Sequence, residues 1–273
     1  MRVFISVDIE GIAGFVGVDE GRQGNAEYEA ARRWMTAEAN AAIAGVFDSE
    51  PDSAVTVADA HGTFRNIIPD LLDRRARLMR GKPRALAMID GVQGGFDAAL
   101  FVGYHGRAGT GASVLSHTFT GTLADVRVNA RSFGEIGLNA AVCGLFGVPL
   151  ALVTGDNTVA TEVEDLLPGT RVVTVKHGVG ALAADSLHPE AARELIRAAV
   201  PGALARVHEL APFRVAGAVA LEVDVSLPAY ADQALIVPGI QRSAGRTLTY
   251  DAPDYLTAYK IVRLIAALSG LAL

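Results

Sequence analysis

The sequence predicts an α/β fold: a mostly parallel central sheet flanked by helices, with a smaller C-terminal α+β lobe. Short apolar runs rich in β-branched residues alternate with segments whose apolar residues recur at spacings of three and four. Three of those runs end in a side chain able to bind metal, with glycine close behind. In open α/β sheets, ligands bind beyond the carboxyl ends of the strands, so the three ends are positioned to converge. After about residue 212 the texture changes to strands followed by one closing helix. The expected division is a metal-binding catalytic core over 1–211 and a lobe over 212–273, packed on the core and not independent.

Residues 2–7, Arg-Val-Phe-Ile-Ser-Val, read as a buried strand that delivers Asp8 and Glu10. Positions two apart on an extended backbone face the same way. Two acids on one face at the end of a buried strand repel each other and lose water, and a cation or a shared proton relieves both. For the pair alone, a turn cap at Asp8 and a solvated Glu10 explain as much. Gly11 and Gly14 allow a sharp turn. Residues 26–48 are helical in pattern, with Trp34 at the rim of the core. Residues 53–58 form the second strand, which ends in Asp59-Ala60-His61-Gly62. Asp59 is expected to orient His61 or a bound water.

A helix and loop are expected over 64–82, with Arg74, Arg75 and Arg77 on a solvated face, and a short strand over 85–89. Residues 98–103 are a clear buried strand ending in Tyr104-His105-Gly106. The glycine-rich loop 107–114 lacks the spacing of a phosphate cradle. A lid and an ordinary loop both account for it. It leads to Leu115-Ser116-His117, and 118–130 suggests a hairpin. Ser132-Phe133-Gly134-Glu135 opens a helix through 146, where Glu135 suits the helix dipole or the metal cluster. Then come a strand over 150–154, a helix over 158–166, and a strand over 171–175 ending in Lys176-His177-Gly178. Helical sequence over 189–207 is expected to break or kink at Pro201. Strands over 215–225, 233–237 and 247–250 precede a helix over 252–270.

His, Asp and Glu suit zinc or a similar divalent ion. The candidates Asp8, Glu10, His61, His105, His117 and Glu135 are more than one tetrahedral ion needs, and they fit two ions sharing a carboxylate. Asp8, at the end of the first strand, is the natural bridge. Spacing alone leaves His117 open as ligand or catalyst. His177, His188 and His208 carry no such signal, and Cys143, in an apolar helical stretch, reads as core.

The formal net charge of −6 argues against nucleic-acid and anionic-membrane partners. A single cysteine rules out an intramolecular disulfide, and no window reaches the ~18–20 apolar residues of a membrane span. With the first strand starting at residue 2, no secretion signal is expected, and the protein is expected to be cytoplasmic.

Five motifs in order carry a resemblance. They are Val7-Asp8-Ile9-Glu10-Gly11, Asp59-Ala60-His61, Gly103-Tyr104-His105, Leu115-Ser116-His117 and Gly134-Glu135-Ile136-Gly137-Leu138-Asn139. Together they resemble the dinuclear-zinc D-aminopeptidases of peptidase family M55, over nearly the whole chain. The resemblance implies two zinc ions held by Asp8 (bridging), Glu10, His61, His105 and Glu135, with His117 as the catalytic residue. It implies hydrolysis of the N-terminal residue of short peptides, with D-amino-acid peptides as the substrate class. It also implies a ring-shaped homo-oligomer, such as a decamer, enclosing the active sites. Gly106, where the family often has Ala, and Ala181, where it has a basic residue, depart from the pattern around the site. The chemistry expected is metal-assisted hydrolysis with His117 as general base, acid or nucleophile. A metal-dependent amidase, an L-specific peptidase and a non-catalytic peptide-binding protein are the alternatives on the same scaffold.

Overall fold

The computed structural model describes residues 1–271. Its strands are β1 (Arg2–Val7), β2 (Ala54–Asp59), β3 (Ala76–Met79), β4 (Ala98–Tyr104), β5 (Leu123–Val128) and β6 (Arg131–Ser132). They continue as β7 (Leu150–Asp156), β8 (Arg171–Gly180), β9 (Ala183–Ser186), β10 (Val219–Val225), β11 (Gln241–Ala244) and β12 (Thr247–Ala252). The helices are α1 (Tyr28–Ser49), α2 (Glu135–Leu145), α3 (Val159–Leu166), α4 (Pro189–Ala205), α5 (Pro228–Ala234) and α6 (Tyr255–Ser269).

A seven-stranded sheet runs in the order β3-β2-β1-β4-β7-β8-β9. Every neighbouring pair is parallel except β8 with β9. β1 is central, and its alternate residues feed two cores. Val3, Ile5 and Val7 pack with Ile43 of α1 and Ile196 and Val200 of α4 on one face. Phe4 faces the other way, into a core shared with Phe101, Ile136 of α2 and Tyr255 of α6. The expected α/β class is the observed one, with parallel strands buried on both faces.

The second sheet, in the order β11-β12-β10-β5-β6, is antiparallel. Three of its strands lie in 212–273, and two come from the stretch before α2. β5 makes only a two-residue pairing with β6, and its long partner is β10, some ninety residues on. The hairpin expected over 118–130 is the short β5–β6 pair, shifted toward 132, with β5 inside the second sheet between β10 and β6.

Several local expectations differ from the structure. Residues 64–82 hold no α-helix; a short 3-10 turn leads into β3, on the edge of the main sheet. The strand expected over 85–89 is a 3-10 turn at Ala87–Ile89, whose buried side chains close the core instead of joining a ladder. The strand expected over 233–237 gives way to α5, which has Pro228 at its first position and buries Ala231 and Ala234, three apart. β11 and the β9 arm were not anticipated. The helix expected to fail at Pro201 continues to Ala205, because Ala192, Ile196, Val200, Ala203 and Leu204 bury one continuous stripe. No helix among the described residues is long and apolar enough to cross a membrane.

Candidate metal centre

β1 and β4 are parallel neighbours, so their carboxyl ends open on one edge. The Asp8 amide donates to the Val102 carbonyl at 2.8 Å, and the Gly11 amide to the Gly103 carbonyl at 2.8 Å. Such close approach needs glycine. A Cβ on Gly11 would lie 1.8 Å from the Tyr104 carbonyl oxygen, and one on Gly103, at φ 72°, would lie 2.4 Å from that of Asp8. The two glycines thus bring Asp8 and Glu10 beside His105.

β2, on the other side of β1, delivers His61. Its Nδ1 is 2.9 Å from Glu10 Oε2 and 3.5 Å from Asp8 Oδ1. His105 Nε2 is 3.8 Å from Asp8 Oδ2 and 3.6 Å from Glu135 Oε1. The two oxygens of Asp8 therefore face different histidines. His117 Nε2 lies 3.6 Å from Glu135 Oε1 and 3.9 Å from Glu10 Oε1, and its ring stacks on His105 with centroids 4.2 Å apart. All six residues proposed from the sequence meet in one place. Ligand atoms of two sets, Asp8–Glu10–His105 and His105–His117–Glu135, lie within 4.8 Å of one another.

Each histidine has one nitrogen on a backbone carbonyl and the other on the acids. His105 Nδ1 is 3.0 Å from Gly106 O, His117 Nδ1 is 2.8 Å from Leu115 O, and His61 Nε2 is 3.3 Å from Gly21 O. Nitrogens held on carbonyls in this way leave the opposite ring nitrogens facing the acids, where they can carry a proton or, once a cation is bound, offer it a lone pair. His105 Nε2 is buried without a hydrogen-bond partner among the described residues.

Three buried carboxylates crowd the same space. Burial, then the neighbouring Glu10, pushes Asp8 up to about 7. Burial likewise raises Glu135. Burial also works against ionised Glu10, but His61, His117 and His105 outweigh it and hold the group well below its usual range. This donor set of carboxylate oxygens and imidazole lone pairs, with one orphaned buried nitrogen, is the chemistry a pair of borderline divalent cations satisfies.

A family model described as D-aminopeptidase, of peptidase family M55, matches residues 1–264. The chain belongs to family M55. A D-aminopeptidase of Bacillus subtilis (strain 168) is 33% identical over an alignment of 273 positions that covers 98% of this chain and 98% of that one. A solved structure described as "Zn-dependent D-aminopeptidase DppA from Bacillus subtilis, a self-compartmentalizing protease" matches with a TM-score of 0.95 at 32% identity. The match covers 99% of this chain and 98% of that one.

The M55 motifs also contain residues that never touch the acids. Tyr104 shares a hydrogen bond of 2.8 Å with Ser6 Oγ and accepts one of 3.3 Å from Asn139 Nδ2. Asn139 Oδ1 in turn accepts from the Tyr259 hydroxyl at 2.9 Å. This buried network ties β1, β4, α2 and α6 together beneath the site. Asp59, expected from the sequence to orient His61 or a bound water, makes no hydrogen bond to the His61 ring; its carboxylate accepts from the amides of Asn66 (2.5 Å) and Ile67 (2.7 Å) and from Asn66 Nδ2 (2.8 Å). Asn66 Nδ2 also donates to the His61 carbonyl at 2.7 Å, so Asp59 braces the loop that carries the ring.

Sequence reasoning missed Lys176. Its ammonium is buried and donates to the carbonyls of Glu10 (2.5 Å), Ile12 (3.0 Å) and Phe15 (2.6 Å). Three donors on three carbonyls pin the turn that presents Glu10. A lone lysine at the end of an otherwise apolar strand was the available signal. The 107–114 loop is tied down: Asp156 Oδ2 accepts from Ser113 Oγ at 2.8 Å and the Val114 amide at 2.9 Å. The departure at Ala181 leaves a backbone contact intact, the Leu115 amide donating to the Ala181 carbonyl at 2.9 Å. His188 caps α4 by accepting from the Glu190 amide at 3.2 Å, a structural role.

Proposed function

We propose that this M55 protein is a zinc-dependent aminopeptidase that hydrolyses the N-terminal residue of short peptides of D-amino acids. The observation that carries the reading is the six-residue cluster in which a ring nitrogen of each of three histidines faces three carboxylates. In the proposed assignment, His61 and Glu10 hold one zinc ion and His105 and Glu135 the other. Asp8 bridges, one oxygen facing each histidine. When bound, zinc polarises a scissile carbonyl and makes a nucleophile from water near neutral pH.

The chain's own residues supply the rest. Glu10 and Glu135 present carboxylate oxygens to the free amino group that distinguishes an aminopeptidase substrate. His117 is held by its Nδ1–H on the Leu115 carbonyl, so Nε2 is the atom that takes or returns a proton at the scissile bond. Its setting is fixed from both sides: Leu115 and Phe119 have φ of 53° and 62°, and the Phe119 amide donates to Glu135 Oε1 at 2.7 Å. Two such conformations cost roughly 1–3 kcal/mol each, a cost that the anchored loop absorbs to aim one ring. We further propose that the 212–273 lobe folds only on the core and that the chain forms a ring-shaped homo-oligomer such as a decamer.

The test is a panel of D- and L-dipeptides with free and blocked amino termini. The reading predicts release of the first residue from free D-dipeptides, and little from L-isomers or N-acetylated peptides. Faster cleavage of blocked peptides would make the protein an amidase, and preference for L-isomers would remove the D assignment.

A further inference from the structure

The smaller cavity at the site, about 230 Å³, is lined by Asp8, Glu10, Glu135 and His117 and also by Lys82 and, from α6, Arg263. Arg263 is fixed there by donation from Nη1 to the carbonyls of Arg84 (3.1 Å) and Ala85 (3.0 Å). Lys82 Nζ donates to the carbonyl of Gly62, next to His61, at 3.1 Å. Arg84 stands behind them, 4.1 Å over the Phe64 ring, with a buried Nε that has no partner among the described residues. No carboxylate of the described residues lies within 4.0 Å of a charged nitrogen on any of these three cations.

Lys82 and Arg263 line the same cavity as the acids and have no carboxylate paired to them among the described residues, so both are free to take an anionic group that enters it. Acids and proposed metal positions together with two available cations in one cavity match a zwitterion. We propose that Lys82 and Arg263 bind the C-terminal α-carboxylate of a dipeptide whose scissile carbonyl lies at the Asp8–Glu135 cluster. This rests on the aminopeptidase reading and adds that a dipeptide gains from a free C-terminal carboxylate. Arg263 supplies a planar fork matched to a carboxylate, and Lys82 a mobile point charge.

Two measurements test it on the zinc-loaded full chain. The first is kcat/KM for D-Ala-D-Ala and its C-terminal amide, in wild type, Lys82→Met, Arg263→Met and Arg263→Lys. The second is calorimetric binding of both peptides to His117→Ala. Wild type should favour the free acid by about tenfold or more, mainly through KM, the size expected of one charged hydrogen bond. Lys82→Met and Arg263→Met should each bring the acid-to-amide ratio toward one, with Arg263→Lys in between. Lys82 is exposed, so its variant serves even if Arg263→Met fails to fold. D-Ala-D-isoglutamine, whose only carboxylate is on the side chain, should behave like the amide. A wild-type ratio near one, an unchanged ratio in Lys82→Met and Arg263→Lys, or parity of the isoglutamine peptide with D-Ala-D-Ala would each overturn the proposal. If neither peptide is cleaved but the acid still binds tenfold more tightly, the subsite stands and the aminopeptidase reading falls. Equal binding of acid and amide overturns the subsite whatever the turnover.

Discussion

Asp8 is the residue on which the centre depends. Its two oxygens face His61 and His105, at 3.5 and 3.8 Å, whereas Glu10 leans on His61 at 2.9 Å and Glu135 on His105 at 3.6 Å. If Asp8 bridges, Asp8→Ala should empty both metal positions, while Glu10→Ala should lower the metal content by about one ion per chain. His117→Ala should abolish turnover and keep both ions. Metal analysis of the three purified variants reads all of this at once. Loss of an ion from His117→Ala would make His117 a ligand, an arrangement that the compact His105–His117–Glu135 set also permits.

At the scale of elements, the turn after β1 is held from below by two buried charged groups. Lys176 fixes the carbonyls of Glu10, Ile12 and Phe15, and Glu38 of α1 accepts from the Ala13 amide at 2.8 Å. The other oxygen of Glu38 is buried without a partner among the described residues. Burial pushes Glu38 from 4.5 up to about 7. The folded protein therefore binds a proton that the unfolded chain has lost between those values. Stability from this group is complete below pH 4.5 and declines as pH rises through 7. The full loss is at most about 3 kcal/mol. Glu38→Gln removes the titration, so its melting temperature relative to wild type should climb from pH 5 to 7 and then stay level. Thermal scans of the zinc-loaded proteins check this, and a flat difference would show that Glu38 stays ionised in the fold.

The same elements show how far the sequence could be read. β1, β2, β4 and β7 were legible because continuous apolar runs bounded by glycine have few other readings. The clustering of the candidate residues was legible because they sit at the ends of those runs and at the start of α2. Residues 64–94 and 226–244 were not. There the chain forms 3-10 turns, edge strands and a seven-residue helix, whose conformation depends on tertiary packing more than on local pattern. Lys176, Asn66 and Arg84 were missed for a related reason. Lys176 and Arg84 act on backbone carbonyls of distant segments and Asn66 on that of His61, five residues earlier, contacts whose partners the spacing of residue types does not name.

On the scale of the whole molecule, the main sheet brings the site together and the second sheet frames it. β5 belongs to the sheet completed by β10–β12, and the loop before it carries His117. The C-terminal segment thus pairs with the strand that follows the His117 loop and also supplies Arg263 on α6. Val179 and Leu182, at the tip of the β8–β9 arm, are 73% and 62% exposed, apolar surface of the kind that subunits cover. Light scattering on the eluted protein should return a mass several times the 28.5 kDa of one chain, near tenfold for a decamer. A monomer at working concentration would remove the enclosed-ring proposal and leave the site untouched.

Two zinc ions on this cluster are proposed to make the protein a D-aminopeptidase. A zinc titration of metal-free protein, following release of D-alanine from D-Ala-D-Ala together with bound metal, tests that proposal. No release is expected without metal, and full activity at two zinc ions per chain. Full activity in protein verified to be free of metal, or no activity with both positions filled, would contradict it.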